Sequence, residues 1–158
     1  MSNSKLNNLF ADDLPPLPES GRILSLDIGT KRVGVAVSDE LRITTRPLTF
    51  IERTSWKKLL KAVIRVISEF DAKAVVLGLP LRLDGTEGDA SQEIRRLYKN
   101  FRASLTVPVF LQDERLTSRA ATEKLREEGY SEKEMKQLVD VEAAVLILQE
   151  FLSRMGCN

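Results

Sequence analysis

The chain has 158 residues, 42% hydrophobic and 30% charged, enough for one domain with a buried core and too few for two full ones. Its 24 basic and 23 acidic residues nearly cancel at +1, so no whole-chain basic excess announces a polyanionic partner. Histidine is absent, which excludes Ser-His-Asp and Cys-His catalysis and every metal site that needs imidazole.

Charge is unevenly spread. Residues 21–70 carry ten Lys or Arg against five Asp or Glu, while the first twenty residues and the segment after residue 70 are each slightly acidic. A basic first half is suited to a polyanion, or is simply a solvated surface. The single cysteine, Cys157, has no partner for an intramolecular disulfide. No apolar run reaches the ~18 residues of a membrane span, and no signal-peptide pattern opens the chain. A cytoplasmic protein with no membrane partner is expected.

The first twenty residues include Leu14-Pro15-Pro16-Leu17-Pro18, too proline-dense for helix or sheet, and read as a flexible tail before a domain over 21–155. Ile23 to Ile28 is an apolar strand broken at Gly29-Thr30, and Val33 to Val37 is a second, of small and β-branched residues. Asp39-Glu40 turns the chain into a third, Ile43 to Ile51, which makes an antiparallel meander.

The period then changes. Trp56, Leu59, Leu60, Val63, Ile64, Ile67 and Phe70 mark one face of a helix, after Thr54 and Ser55 as candidate caps. Ala74 to Leu79 is a strand buried on both faces. A Gly- and Asp-rich loop, 80–88, leads to a helix marked by Ala90, Ile94, Leu97, Tyr98 and Phe101. Val107 to Leu111 is the fifth strand. A helix from Thr117 to Glu128 stops at Gly129, and Ser131-x-x-Glu134 is a capping box for a last helix to about Leu152. The order βββαβαβαα predicts an α/β domain. Its mixed five-stranded sheet, three antiparallel then two parallel strands, is flanked by helices, as in the ribonuclease-H-like fold.

Acids stand out at three places. Asp27 interrupts an apolar strand, where a carboxylate costs several kcal/mol unless paired or metal-bound. Asp113-Glu114-Arg115 follows the fifth strand. Side chains alternate there, so only one acid shares a neighbour's direction; Glu114 is favoured for its reach, with Asp113 the alternative. Asp140 lies on the last helix with Ala143, Ala144 and Ile147 beyond it. The strands ending at Asp27 and Glu114 are expected to be neighbours, with the last helix bringing Asp140 over them. Converging carboxylates need divalent cations, and all-oxygen donors suit Mg2+ or Mn2+. Such ions support in-line phosphoryl displacement without histidine. Gly29-Thr30-Lys31-Arg32, and the loop holding Gly85 and Thr86, offer candidate phosphate contacts, although either is also readable as a tight turn.

Four segments in order resemble the bacterial YqgF family, also called the Holliday-junction-resolvase-like or pre-16S rRNA nuclease family. They are Leu26-Asp27-Ile28-Gly29-Thr30-Lys31-Arg32-Val33-Gly34-Val35-Ala36-Val37-Ser38-Asp39; Val76-Leu77-Gly78-Leu79-Pro80-Leu81 with Asp84-Gly85-Thr86-Glu87-Gly88; Asp113-Glu114-Arg115-Leu116-Thr117-Ser118; and Val139-Asp140-Val141-Glu142-Ala143-Ala144. The resemblance spans residues 21–153. It implies a metal-dependent nuclease in which Asp27, Asp113 or Glu114, and Asp140 bind metal. It also implies a role in maturing the 5′ end of small-subunit ribosomal RNA on a ribosome precursor, with structured RNA as substrate and branched DNA as the alternative. Arg115, beside the acids, joins the candidate substrate contacts.

Two rival readings fit parts of the pattern. Asp-x-Gly-Thr after a strand also resembles the phosphate loop of actin-like ATPases, but those need two related domains, more than this length holds. A non-catalytic RNA-binding module has no use for clustered acids, which repel a polyanion.

Overall fold

A computed structural model describes residues 15–82, 84–114 and 117–157, apart from the side chains of residues 117–121, 136–137 and 140. The expected order of elements is present. Strands β1 (Ile23–Ile28), β2 (Arg32–Ser38) and β3 (Thr45–Glu52) precede helix α1 (Trp56–Phe70); then come β4 (Ala74–Leu79), α2 (Asp89–Ser104), β5 (Val109–Asp113), α3 (Thr117–Glu127) and α4 (Glu132–Arg154). The strands form one sheet in the order β3-β2-β1-β4-β5. β1 to β3 are antiparallel, and β4 and β5 run parallel to β1.

This order corrects one expectation. β1 and β5 are not neighbours, because β4 returns from α1 alongside β1 and β5 adds outside it. Leu26 pairs with Leu77, and Gly78 pairs with Gln112, so the chain that separates the Asp27 and Glu114 strands contributes a glycine at their level.

Strand ends also shift. β5 begins at Val109 rather than Val107, since Pro108 has no N–H for the ladder and only its carbonyl is used, by Val75 N at 3.0 Å. Asp113 is therefore inside the strand. β3 begins at Thr45 because the Asp39 carboxylate takes the N–H groups of Ile43 and Thr44, at 2.7 and 2.8 Å, folding both into the turn.

Alternation along the strands splits the core in two. One face carries Leu24, Leu26, Val35, Val75, Leu77 and Leu111 against α1 and α2, where Trp56 meets Phe101 edge-on at 4.8 Å. The other carries Ile23, Ala36, Ala74, Val76 and Phe110 against α4, through Ala144, Ile147, Leu148 and Phe151. Small residues on this second face let α4 lie close. Ser131 caps α4 with the expected reciprocal box to Glu134, and the Lys124–Glu142 ion pair ties α3 to it. Leu17 packs against the second core together with Met155 and Cys157, so the segment just before the domain touches it. Residues 1–14 lie outside the described set.

Candidate metal and nucleic-acid site

Asp27 lies on the α4 face of the sheet, two residues after Ser25 on the same strand, and only 6% of it is exposed. Its partner on β2 is Gly34. On its other side comes Gly78, one step past the Leu26–Leu77 pair. On the sheet Asp27 is thus flanked on both sides by glycines.

Register decides between the two acids after β5. Asp113 pairs with Leu79, whose side chain belongs to the α1–α2 core, so Asp113 points away from Asp27. Glu114 has the opposite parity and continues the ladder, its N–H donating to the Leu79 carbonyl at 3.1 Å. Its carboxylate reaches back over β4: a Cβ added at Gly78 would lie 2.6 Å from Glu114 Oε2 and 2.6 Å from Ile147 Cδ1 on α4. Glu114 therefore occupies the space above Gly78, about one strand spacing, ~4.8 Å, from the Asp27 column.

Asp140 falls within α4, one turn before Ala144; its side chain lies outside the described set. Ala144 is fixed to β1, since the Ser25 hydroxyl donates to its carbonyl at 2.6 Å. At the far end of the helix Arg154 donates to Gln112 Oε1 at 2.8 Å and to the Leu111 carbonyl at 3.0 Å. These two clamps set how α4 sits over the acids. Sequence reasoning missed Ser25, Gln112 and Arg154; for Ser25 and Gln112 the available signal was a polar residue inside an otherwise apolar strand, and Arg154 at the end of α4 gave none. Among the described residues, no group of three or more acids or cysteines is placed to hold a metal.

The two candidate substrate loops are both self-closed. Gly29 N–H donates to the Arg32 carbonyl at 2.9 Å, closing a tight turn on Thr30 and Lys31, and the Arg32 guanidinium lies 5.5 Å over the Phe50 ring. Arg53 grips this turn twice, from its N–H to the Lys31 carbonyl at 2.9 Å and from Nη1 to the Gly29 carbonyl at 3.0 Å; its other end pairs with Glu93 on α2. In the second loop Gly85, at φ +85°, donates to the Arg82 carbonyl at 2.8 Å. The Thr86 hydroxyl and N–H both donate to Asp84 Oδ1, holding its carboxyl below the ordinary 3.8. The N–H groups of Gly85 and Thr86 are thus engaged within the loop. Arg115 lies outside the described residues.

A family model described as "RuvX: Holliday junction resolvase" matches residues 21–154. The chain is 44% identical over 131 residues to a Myxococcus xanthus protein named "Putative pre-16S rRNA nuclease", covering 83% of this chain and 87% of that one. It is 41% identical over 143 residues to a Koribacter versatilis protein of the same name, covering 90% and 94%. Among solved structures it is similar to the fowlpox virus resolvase bound to Holliday junction DNA, with TM-score 0.51 and 17% identity over 85% of this chain and 98% of that one. Thermus thermophilus RuvC with its Holliday junction substrate gives TM-score 0.50 and 17% identity over 86% and 96%. The fold is ribonuclease-H-like. No helix among the described residues is long and apolar enough to cross a membrane.

Proposed function

The chain belongs to the RuvX family, the YqgF group of Holliday-junction-resolvase-like proteins, and we propose that its single domain, residues 21–155, cuts structured RNA at the 5′ end of pre-16S ribosomal RNA in the cytoplasm. The activity class is that of a nuclease, a hydrolase of phosphodiester bonds.

One observation carries the catalytic reading: a buried Asp27 and a Glu114 carboxylate share one face of the sheet across a glycine. Acids on one face of the sheet suit a divalent countercharge, and no histidine is available to complete a softer site. The donor set is oxygen only, which fits Mg2+ or Mn2+. Asp27 and Glu114 would hold the ion, with Asp140 as third ligand, and Asp113 lies on the opposite face. When bound, the ion supplies charge that activates water and stabilises the leaving oxygen. The protein's own part is to hold the carboxylates without slack and to seat the phosphate backbone. Lys31 on the Gly29–Arg32 turn is the cation nearest in sequence to Asp27 for that task, and Arg115 follows Glu114 directly.

Branched DNA is the second reading, favoured by the description of the family model. Incubation of the protein with a pre-16S 5′ leader RNA and with a four-way DNA junction, each in Mn2+, separates the readings. Cleavage of the RNA alone, abolished in Asp27→Asn, supports the proposal. Cleavage of the junction alone replaces RNA with DNA, and RNA bound equally well by both proteins with no cutting makes this a binding module.

A further inference from the structure

We infer that Gly78 is a positioning residue whose missing side chain is the seat of the Glu114 carboxylate, so that the reach of Glu114 toward Asp27 depends on a glycine in the strand between them. The inference rests on the reading of Glu114 as a metal ligand.

Glycine inside a buried central strand weakens it, through entropy and the loss of a side chain to pack. Such a residue is kept where the backbone must bend or where something approaches closely. The first reason fails at Gly78, whose φ lies outside the left-handed region, so an L-residue could adopt its backbone. Space is what excludes a side chain. A Cβ would stand 2.6 Å from Glu114 Oε2, 3.0 Å from Glu114 Cδ and 2.6 Å from Ile147 Cδ1.

Glu114 starts from the strand outside β4, and Asp27 stands on the strand inside it. The only direct way across is over Gly78. Any side chain there would lift the carboxylate off the sheet or turn it toward solvent, while Asp27, held in β1, would not follow. Ile147 closes the space from above, so the carboxylate has little freedom to relocate beneath α4. Gly34 pairs with Asp27 from the other side, on β2 rather than β4.

The test is a double-variant cycle of Gly78→Ala and Glu114→Ala on the full chain, reading Mn2+ affinity by calorimetry and stability by denaturant midpoint. Gly78→Ala is expected to weaken Mn2+ binding by ~10–100-fold, the usual effect of disturbing a ligand's support. Its loss of stability is expected to shrink when Glu114 is alanine, because the carboxylate it displaces is gone. Unchanged Mn2+ affinity in Gly78→Ala would overturn the inference, as would an equal stability loss with and without the Glu114 carboxylate, which would assign the whole effect to Ile147. If Gly78→Ala does not fold, a folded double variant supports the inference and an unfolded one overturns it. Absence of Mn2+ binding in the wild type would instead sink the metal reading of the site, and this inference with it.

Discussion

The Ser25 hydroxyl donates to the Ala144 carbonyl at 2.6 Å, joining residues 119 positions apart, and Ser25 and Ala144 are both fully buried. This bond sets α4 against β1 two residues before Asp27 and one turn after Asp140. Ser25→Ala removes the donor while the Ala144 carbonyl keeps its place in the helix. A loss of about 1 kcal/mol is expected in chemical denaturation. Ser25→Val adds bulk where the helix lies close, and a larger loss of ~1–3 kcal/mol is expected. Equal stability of all three proteins would show that this clamp contributes nothing.

Strand parity separates the two adjacent acids. Glu114→Gln is expected to lower metal-dependent cleavage by more than ~100-fold, beyond what loss of a supporting residue costs. Asp113→Asn, which changes a side chain on the opposite face, is expected to stay within a few-fold of wild type. Single-turnover cleavage rates in saturating Mn2+ check both, and the reverse ranking would reject the register argument.

Arg53 holds the turn beside Asp27 without itself needing to touch substrate. Arg53→Ala is expected to weaken RNA binding about tenfold, a change of ~1.4 kcal/mol, while leaving the slope of affinity against salt unchanged. Lys31→Ala, if its ammonium meets a phosphate, lowers that slope by about one. Filter binding over a salt series distinguishes a positioning cation from a contacting one.

Asp39 gives the fold a defined acid sensitivity. The Thr44 N–H, helped by that of Ile43, holds its carboxyl below the ordinary 3.8. A group whose folded pKa is depressed stabilises the fold above its unfolded pKa, and the contribution is lost as pH falls through the folded value. Stability is therefore expected to drop below about pH 3.8 through this turn. In Asp39→Asn, whose amide oxygen accepts the same bonds, the acid slope is expected to flatten. Denaturant midpoints between pH 6 and pH 2.5 measure it.

The order of elements was readable because each has a strong local signal: the short apolar and β-branched runs of β1 and β2, the three-and-four spacing from Trp56 to Phe70, the Ser131–Glu134 box. Sheet order was not. Nothing local in Val76 to Leu79 says that this strand enters between the two bearing Asp27 and Glu114, since that follows from a crossover spanning a whole helix. The acids themselves were visible as charges in apolar surroundings. Which face each of Asp113 and Glu114 takes was not, because it turns on the register of β5 against β4, which pairs Asp113 with Leu79. Gly78 was legible only as a member of a motif; its use appears once Glu114 is seen lying across it. The candidate phosphate loops were legible as turns, and Gly29 N–H closes on Arg32 and Gly85 N–H on Arg82.

Carboxylates distant in sequence are expected to share one divalent ion beside Gly78. A crystal grown with Mn2+ and measured at the manganese absorption edge addresses it directly. The expected result is an anomalous peak bounded by the Asp27 and Glu114 carboxylates with Asp140 completing it, and none at Asp113. A peak elsewhere, or Asp27 and Glu114 both solvated and apart from any ion, would contradict it.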